Sequence, residues 1–368
     1  MLKRKVLEKP DEVRKIDCRN MLGLCEKMPE LCRDALKRAE KAKITYNQPE
    51  NVVIVGMGGS GIGGELLKDW LHDKASIPIE VCRDYVLPAY VGEKSLIIAV
   101  SYSGETEETL SAFVQAVKRR CMIVTVSSGG HLGALSQKFE VPNIHIPEGF
   151  VPRAAIAYLF FPLVTVMERI GVATETGEVE EALQILREVS EENAHSMPFK
   201  KNRAKKLASE IEGTIPIVYG FRQYSAVARR LKCQFNENSK VPSKFDLFSE
   251  LNHNEVVGWE APDHLTKNFS IVFLRDPEEP PEIKHRIQIT KQIVSPKVSK
   301  VLEIQAVGKK KLAKMLSAQY IGDFTSIYLA LLRGVDPSPT KTISYLKREM
   351  KKRHSMTTRL EEVIKRLE

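Results

Sequence analysis

Apolar residues recur along this chain with two different periods. From about Asp11 to Lys41 they fall at Val13, Ile16, Met21, Leu24, Met28 and Leu31, a helical spacing, and residues 1–48 are read as a helical arm. Asn51-Val-Val-Ile-Val55 then predicts a buried strand, followed by a glycine-rich turn and a helix through Glu65–Leu71. Ser95–Val100 and Met122–Val126 are further apolar runs, with a helical stretch, Glu105–Arg119, between them. Strands that are apolar throughout and alternate with helices point to βαβ units and a parallel sheet covered on both faces. The cycle restarts near Pro216, with strand Ile217–Gly220, helix Tyr224–Phe235, strand Phe269–Leu274, helix Pro281–Gln292 and a short strand near Val301. The expected fold is α/β: two tandem doubly wound units, each a parallel sheet flanked by helices, repeated in pattern and not in identity. The boundaries drawn are 49–176 for the first unit, 177–212 for a charged helical linker, 213–347 for the second unit and 348–368 for a basic C-terminal helix. The helical pattern of the chain's end, read from Thr342 to Glu368, has apolar positions at Ile343, Leu346, Met350, Leu360, Val363 and Leu367, which predict packing along one stripe.

Composition narrows the partners. The 368 residues are 43% hydrophobic and 28% charged, the balance of a soluble globular protein. A net charge of +9 favours anionic ligands without choosing among them. With 7% aromatic residues there is little from which to build base-stacking platforms, so nucleic acid is not expected as a partner. The longest apolar stretch, Ala154–Met167, is short of the roughly 20 residues that cross a bilayer and reads as a buried helix, so no membrane association is expected. The first residues, MLKRKVLEKPDEVRK, carry no apolar segment of a cleaved signal. The six cysteines contain no CxxC pair; Cys18, Cys25 and Cys32 recur every seven residues, which places them on one helix face as small hydrophobes and suggests a reducing cytoplasm.

Chemistry concentrates in two turns. Gly56-Met-Gly-Gly-Ser-Gly-Ile-Gly-Gly64 follows a strand and opens a helix, and Gly56, Gly58 and Gly61 satisfy G-x-G-x-x-G. Glu80 lies where a ribose-binding acid belongs, so an NAD-dependent oxidoreductase is one reading. Tight helix–strand packing would use the same glycines. The next strand runs into Ser101-Tyr-Ser-Gly-Glu-Thr-Glu-Glu108, which offers the hydroxyls of Ser101, Ser103 and Thr106 at a helix start. Hydroxyl donors beside a positive helix end suit a phosphate dianion, although Ser103 and Thr106 could be simple helix caps. A second hydroxyl-rich turn beside the glycine loop is something a dinucleotide fold does not need.

These residues carry a resemblance. G-G-S-G after one strand and S-x-S-G-x-T after a later one resemble the sugar isomerase (SIS) domain, and two such units in tandem resemble the phosphoglucose isomerase superfamily. Val151-Pro-Arg-Ala-Ala155, Phe235-Asn-Glu-Asn238 and Glu250-Leu-Asn-His-Asn-Glu255 are similar to the bifunctional phosphoglucose/phosphomannose isomerases, over a span from about Asn51 to Lys347. The resemblance implies reversible interconversion of glucose 6-phosphate and mannose 6-phosphate with fructose 6-phosphate through a cis-enediolate, with no cofactor and no metal. It assigns Gly59, Ser60, Ser101, Ser103 and Thr106 to the substrate phosphate, Glu237 to C1/C2 proton transfer and His253 to ring opening. Arg153 is assigned to the enediolate, and Lys347 to the ring oxygen with Lys341 as a competitor. Thr340 stands where bifunctional members have Thr and ordinary phosphoglucose isomerases have Gln, which leaves room for either C2 configuration. The resemblance further implies a homodimer in which His253 is donated across the interface. Two other readings stand beside it: an SIS-type regulatory protein that binds a phosphosugar without turning it over, and the oxidoreductase.

Overall fold

A computed structural model describes residues 3–173 and 176–353. Where periodicity predicts one arm there are three short helices, α1 (Pro10–Ile16), α2 (Met21–Glu26) and α3 (Met28–Ala39). The break between the first two has a local cause. The Asp17 carboxylate accepts the Met21 and Leu22 N–H groups at 2.7 and 2.8 Å, and Asn20 adopts left-handed backbone at φ 52°. Cys18, Cys25 and Cys32 therefore do not share one helix face: they lie in a turn, in α2 and in α3, and only Cys32 is buried.

The described residues fold as two units. One takes those from Glu30 as far as residue 173, together with Thr340 onward. Its elements are β1 (Asn51–Val55), α4 (Gly58–Leu71), β2 (Ile79–Cys82), β3 (Ser95–Ser101), α5 (Glu107–Lys118), β4 (Met122–Ser127), α6 (Gly130–Lys138), β5 (Asn143–His145) and α7 (Ile156–Arg169). The five strands are all parallel in the order β2-β1-β3-β4-β5. Every residue of β3 is buried, as an apolar run sandwiched between helices must be. Ile97 and Ala99 pack with Phe113 and Leu110 of α5 in one core cluster. β2 and β5, four and three residues long, give no apolar run because they lie at the sheet edges, partly exposed.

The other unit takes the described residues up to Pro29 and Thr176–Pro339. Its elements after the arm are α8 (Thr176–Asn193), α9 (Arg203–Ile211), β6 (Ile215–Phe221), α10 (Ser225–Glu237), β7 (Lys244–Phe248), α11 (Asp263–Thr266), β8 (Phe269–Arg275), α12 (Pro281–Val294), β9 (Lys300–Gln305) and α13 (Lys311–Leu332). The sheet is again parallel, in the order β7-β6-β8-β9. Residues 177–212, expected as a linker, form α8 and α9 and pack within this unit against α13. The Tyr328 hydroxyl donates to the Asn193 carbonyl at 2.7 Å, and that of Tyr320 lies 3.1 Å from Ser190 Oγ. α13 is buried on every face from Leu312 to Leu332.

The C-terminal basic helix begins at α14 (Lys341–Arg353). No residue of α14 is buried, so Ile343, Leu346 and Met350 do not pack along a stripe in this chain; Leu360, Val363 and Leu367 lie outside the described residues. Among the described residues no helix is long and apolar enough to cross a membrane.

Candidate functional site

In a doubly wound sheet, ligands collect at the carboxyl ends of the strands where the order reverses. In the first sheet that point lies between β1 and β3. β1 ends at Val55 and the glycine run opens α4 at Gly58, so the start of this helix sits at that point; its Ser60 and Gly61 N–H groups donate to the carbonyl of the N-cap residue Met57 at 3.0 and 3.3 Å. Gly59 is required for a close approach: a Cβ there would lie 3.0 Å from the Pro152 carbonyl oxygen and 3.4 Å from the Arg153 nitrogen. The absent side chain thus lets the 3-10 helix Pro152–Ala155 rest on the loop, bringing Arg153 beside it. Arg153 is 5% exposed, a position where a guanidinium needs anionic or carbonyl partners.

The turn after β3 is built against the same loop. Ser60 is buried and its Oγ accepts the Tyr102 N–H at 3.3 Å. Ser101 Oγ and Thr106 Oγ1 lie 2.8 Å apart, and Ser103 Oγ, exposed, accepts the Glu105 N–H at 3.3 Å. Thr106 is the N-cap residue of α5 yet its side chain makes no capping bond. The plain helix-cap explanation of this hydroxyl therefore fails; the hydroxyl turns inward to Ser101. The turn is rigid. Gly104 takes φ 71°, and a Cβ there would come within 1.9 Å of the Gly129 carbonyl oxygen, so this turn and the one before α6 are pressed together. The Glu105 carboxylate accepts the His131 N–H at 3.0 Å and lies 2.6 Å from His131 Nδ1, which holds the acid in the pairing with α6.

Tyr102, one of the intervening residues of the serine motif, has a role the sequence reading misses. Its hydroxyl donates to the Pro147 carbonyl at 3.0 Å and accepts the Phe150 N–H at 2.7 Å. It thereby fixes the segment that leads into Pro152 and Arg153 to the hydroxyl turn. A buried aromatic in the turn after an apolar strand carries no sequence signal of such a duty.

The second sheet repeats the topology with opposite chemistry. The turn after β8, equivalent to the one after β3, contains Asp276, Glu278 and Glu279. Asp276 accepts from the Tyr224 hydroxyl at 2.7 Å and pairs with Lys314 at 3.2 Å, while Glu279 pairs with Arg275 at 2.5 Å. Burial and the Asp276 carboxylate push the Tyr224 phenol well above its ordinary range. A tyrosine–carboxylate–lysine network fills the position that glycine and hydroxyls leave open in the first sheet. Of the two turns, the first presents hydroxyls and the second carboxylates paired with cations.

Glu237 is the last residue of α10, half-buried, and both neighbours pin it. The Ser243 N–H donates to Asn236 Oδ1 at 2.8 Å, and Asn238 Nδ2 donates to Ser326 Oγ on α13 at 2.9 Å. His253 ends the 3-10 helix Glu250–His253 and is exposed. Its neighbour Asn252 donates to Thr290 Oγ1 of α12 at 2.9 Å, which fixes the segment carrying the imidazole. Thr340 precedes α14, and Lys341 and Lys347 lie exposed on that helix. Gly59, Ser60, Ser101, Ser103, Thr106, Arg153, Thr340 and Lys347 thus belong to one unit, and Glu237 and His253 to the other.

The dinucleotide reading fails on position. Glu80 lies inside β2, paired in register with Val53, and its carboxylate accepts from the Tyr90 hydroxyl. The strand runs on to Cys82, so Glu80 is not at its carboxyl end, where a ribose-binding acid belongs. Arg83 follows instead, ion-paired with Glu65 of α4.

Residues 200–350 match the bacterial phospho-glucose isomerase C-terminal SIS domain. The chain is 44% identical over 327 residues to the bifunctional phosphoglucose/phosphomannose isomerase of Caldicellulosiruptor bescii, covering 88% of this chain and 96% of that protein. It is 36% identical over 304 residues to the protein of the same description from Aquifex aeolicus, covering 82% and 91%. Among solved structures, a glucose-6-phosphate isomerase like protein from Thermus thermophilus aligns with a TM-score of 0.61 at 20% identity, covering 91% of this chain and 98% of that one, and so shares the fold.

Proposed function

The chain belongs to the family of bifunctional phosphoglucose/phosphomannose isomerases, and from this we propose that it interconverts glucose 6-phosphate and mannose 6-phosphate with fructose 6-phosphate at the hydroxyl turn of its first sheet. The observation that carries the reading is the inward pairing of Ser101 and Thr106, which leaves a helix N-terminus lined with hydroxyls and uncapped by them. Donors in that arrangement suit a phosphate dianion and anchor one end of the sugar.

The remaining roles follow from the reaction's demands. A carboxylate must take the proton from C2 of the opened aldose and return it to C1, and the pinned Glu237 at the end of α10 is our choice. As that proton leaves, charge builds on the C1–C2 oxygens of a cis-enediolate, and the buried Arg153 guanidinium is our choice to meet it. Opening the ring requires a proton at the ring oxygen, which we assign to His253 with Lys347 assisting. Thr340, smaller than a glutamine, leaves space for both C2 epimers. The proposal includes a homodimer in which the exposed His253 serves the partner's site.

A coupled assay on both aldose phosphates, in the presence of chelator, tests this with wild type and Glu237→Gln. Activity on both sugars and a loss of at least ~10²-fold in kcat for the variant are expected from the loss of a general base. Full activity in Glu237→Gln would remove the glutamate from the reaction.

A further inference from the structure

Lys240 lies just beyond α10, and its backbone is left-handed at φ 55°. Glycine adopts that conformation freely and lysine does not, so the surroundings must hold the residue there. They do so on both sides. Ser239 Oγ donates to the Ser326 carbonyl at 2.6 Å, and the Val241 N–H donates to the Phe235 carbonyl at 3.2 Å. The half-buried Lys240 side chain turns back to the helix, where Nζ donates to the Glu237 carbonyl at 2.5 Å and to the Asn238 carbonyl at 3.3 Å. Both acceptors belong to the end of α10, where a cation meets the negative pole of the helix dipole. The third acceptor does not: Nζ also donates to the Pro337 carbonyl at 3.1 Å. Pro337 and Ser338 are buried, and the Ser338 N–H donates to Asp336 Oδ1 at 2.8 Å, which fixes that segment between its two prolines, Pro337 and Pro339. A helix cap alone has no use for an acceptor so far along the chain.

We infer that Lys240 is a positioning residue for the isomerase reaction: its ammonium ties the end of α10 to the 336–339 segment and thereby fixes where the Glu237 carboxylate stands. The three N–H groups of the ammonium meet three carbonyls, so its task is to hold backbone. Asn236 and Asn238 secure the residues on either side of Glu237 through their side chains, whereas Lys240 grips the carbonyl of Glu237 itself. A peptide plane held at its oxygen sets the direction of the adjoining side chain. Last turns of helices fray, and a base that must reach a carbon-bound proton tolerates little displacement: about 1 Å can cost ~10²-fold in rate.

The inference rests on the reading of Glu237 as the base, and a double-variant comparison separates the two. In coupled assays on both aldose phosphates, Lys240→Gly should lower kcat about 10-fold and move KM by no more than about twofold, as a displaced base over an intact phosphate turn requires. Glycine suits the left-handed backbone, so the melting temperature should not fall. Lys240→Met keeps the aliphatic chain and removes only the ammonium; it is measured alongside, so the test stands on whichever variant folds. In the Glu237→Gln background neither substitution should lower the residual rate further, because nothing is left to position. Full activity in Glu237→Gln sinks the base reading and this inference together. A large loss in Glu237→Gln with unchanged kcat in the lysine variants sinks the inference alone. So does a loss that recurs in the Glu237→Gln background or falls on KM only, since the lysine would then act on something other than the glutamate.

Discussion

At the scale of single residues, Thr106 separates two roles that sequence leaves merged. A threonine before a helix normally accepts an N–H of the first turn, and its loss then costs about 1 kcal/mol of stability. Here the hydroxyl meets Ser101 Oγ and makes no capping bond. Thr106→Val should leave the melting temperature nearly unchanged and raise KM for both aldose phosphates by about 10- to 100-fold, the worth of one hydrogen bond to a charged group. Steady-state kinetics beside thermal denaturation decides it: a stability loss with unchanged KM would return the residue to capping. Tyr102 works one step further from the sugar. Removing its hydroxyl frees the Pro147 carbonyl and the Phe150 N–H, and with them the approach of Arg153. Tyr102→Phe should therefore lower kcat by about 10-fold while KM moves little, because the phosphate turn itself stays closed through Ser60 and Gly104. A change confined to KM would disconnect the tyrosine from Arg153.

At the scale of elements, legibility in the sequence follows the environment of each segment. β1, β3, β4, β6 and β8 are apolar runs because helices cover both faces, and the reading found all of them. The edge strand β7 escaped, being half-exposed and interrupted by Lys244 and Asp246. α13 escaped for the opposite reason: it is buried all round, so no polar face marks its period. The arm misled because apolar spacing cannot register the Asp17 bonds that break the helix. α9 holds another feature invisible to pattern. Lys205 is fully buried, its Nζ donating to the His195 and Met197 carbonyls at 2.8 Å each, and burial lowers its pKa from 10.5 to about 8. Between those values the unfolded chain keeps a proton that the folded chain has released, so folding gains stability as pH rises through the window and nothing below it. The urea-unfolding free energy of wild type relative to Lys205→Met should rise by about 1–3 kcal/mol from pH 8 to pH 10.5. A difference that stays flat would show that the amine keeps its proton inside the fold.

At the scale of the whole molecule, two sheets of the same topology carry different side chains at their carboxyl ends. Strand order places a ligand position at the carboxyl ends of both sheets, between β1 and β3 and between β6 and β8. What fills that position decides its use. The first has Gly59, Ser60, Ser101, Ser103 and Thr106. The second has Asp276 held by Tyr224 and Lys314, with Glu278 and Glu279 beside it. The chain's net charge of +9 draws anions to the molecule as a whole and cannot choose between the two ends. Local donors must choose, since a dianion brought to Asp276 would lose its hydration for a carboxylate neighbour, whereas at Ser101 it gains hydroxyls and helix amides. Calorimetric titration with fructose 6-phosphate should accordingly give one site per chain, and the Ser101→Ala, Thr106→Val double variant should remove it. Two sites per chain, or one that survives the double variant, would mean that the anion is held somewhere other than the hydroxyl turn, and the division of labour between the two sheets would have to be redrawn from that position.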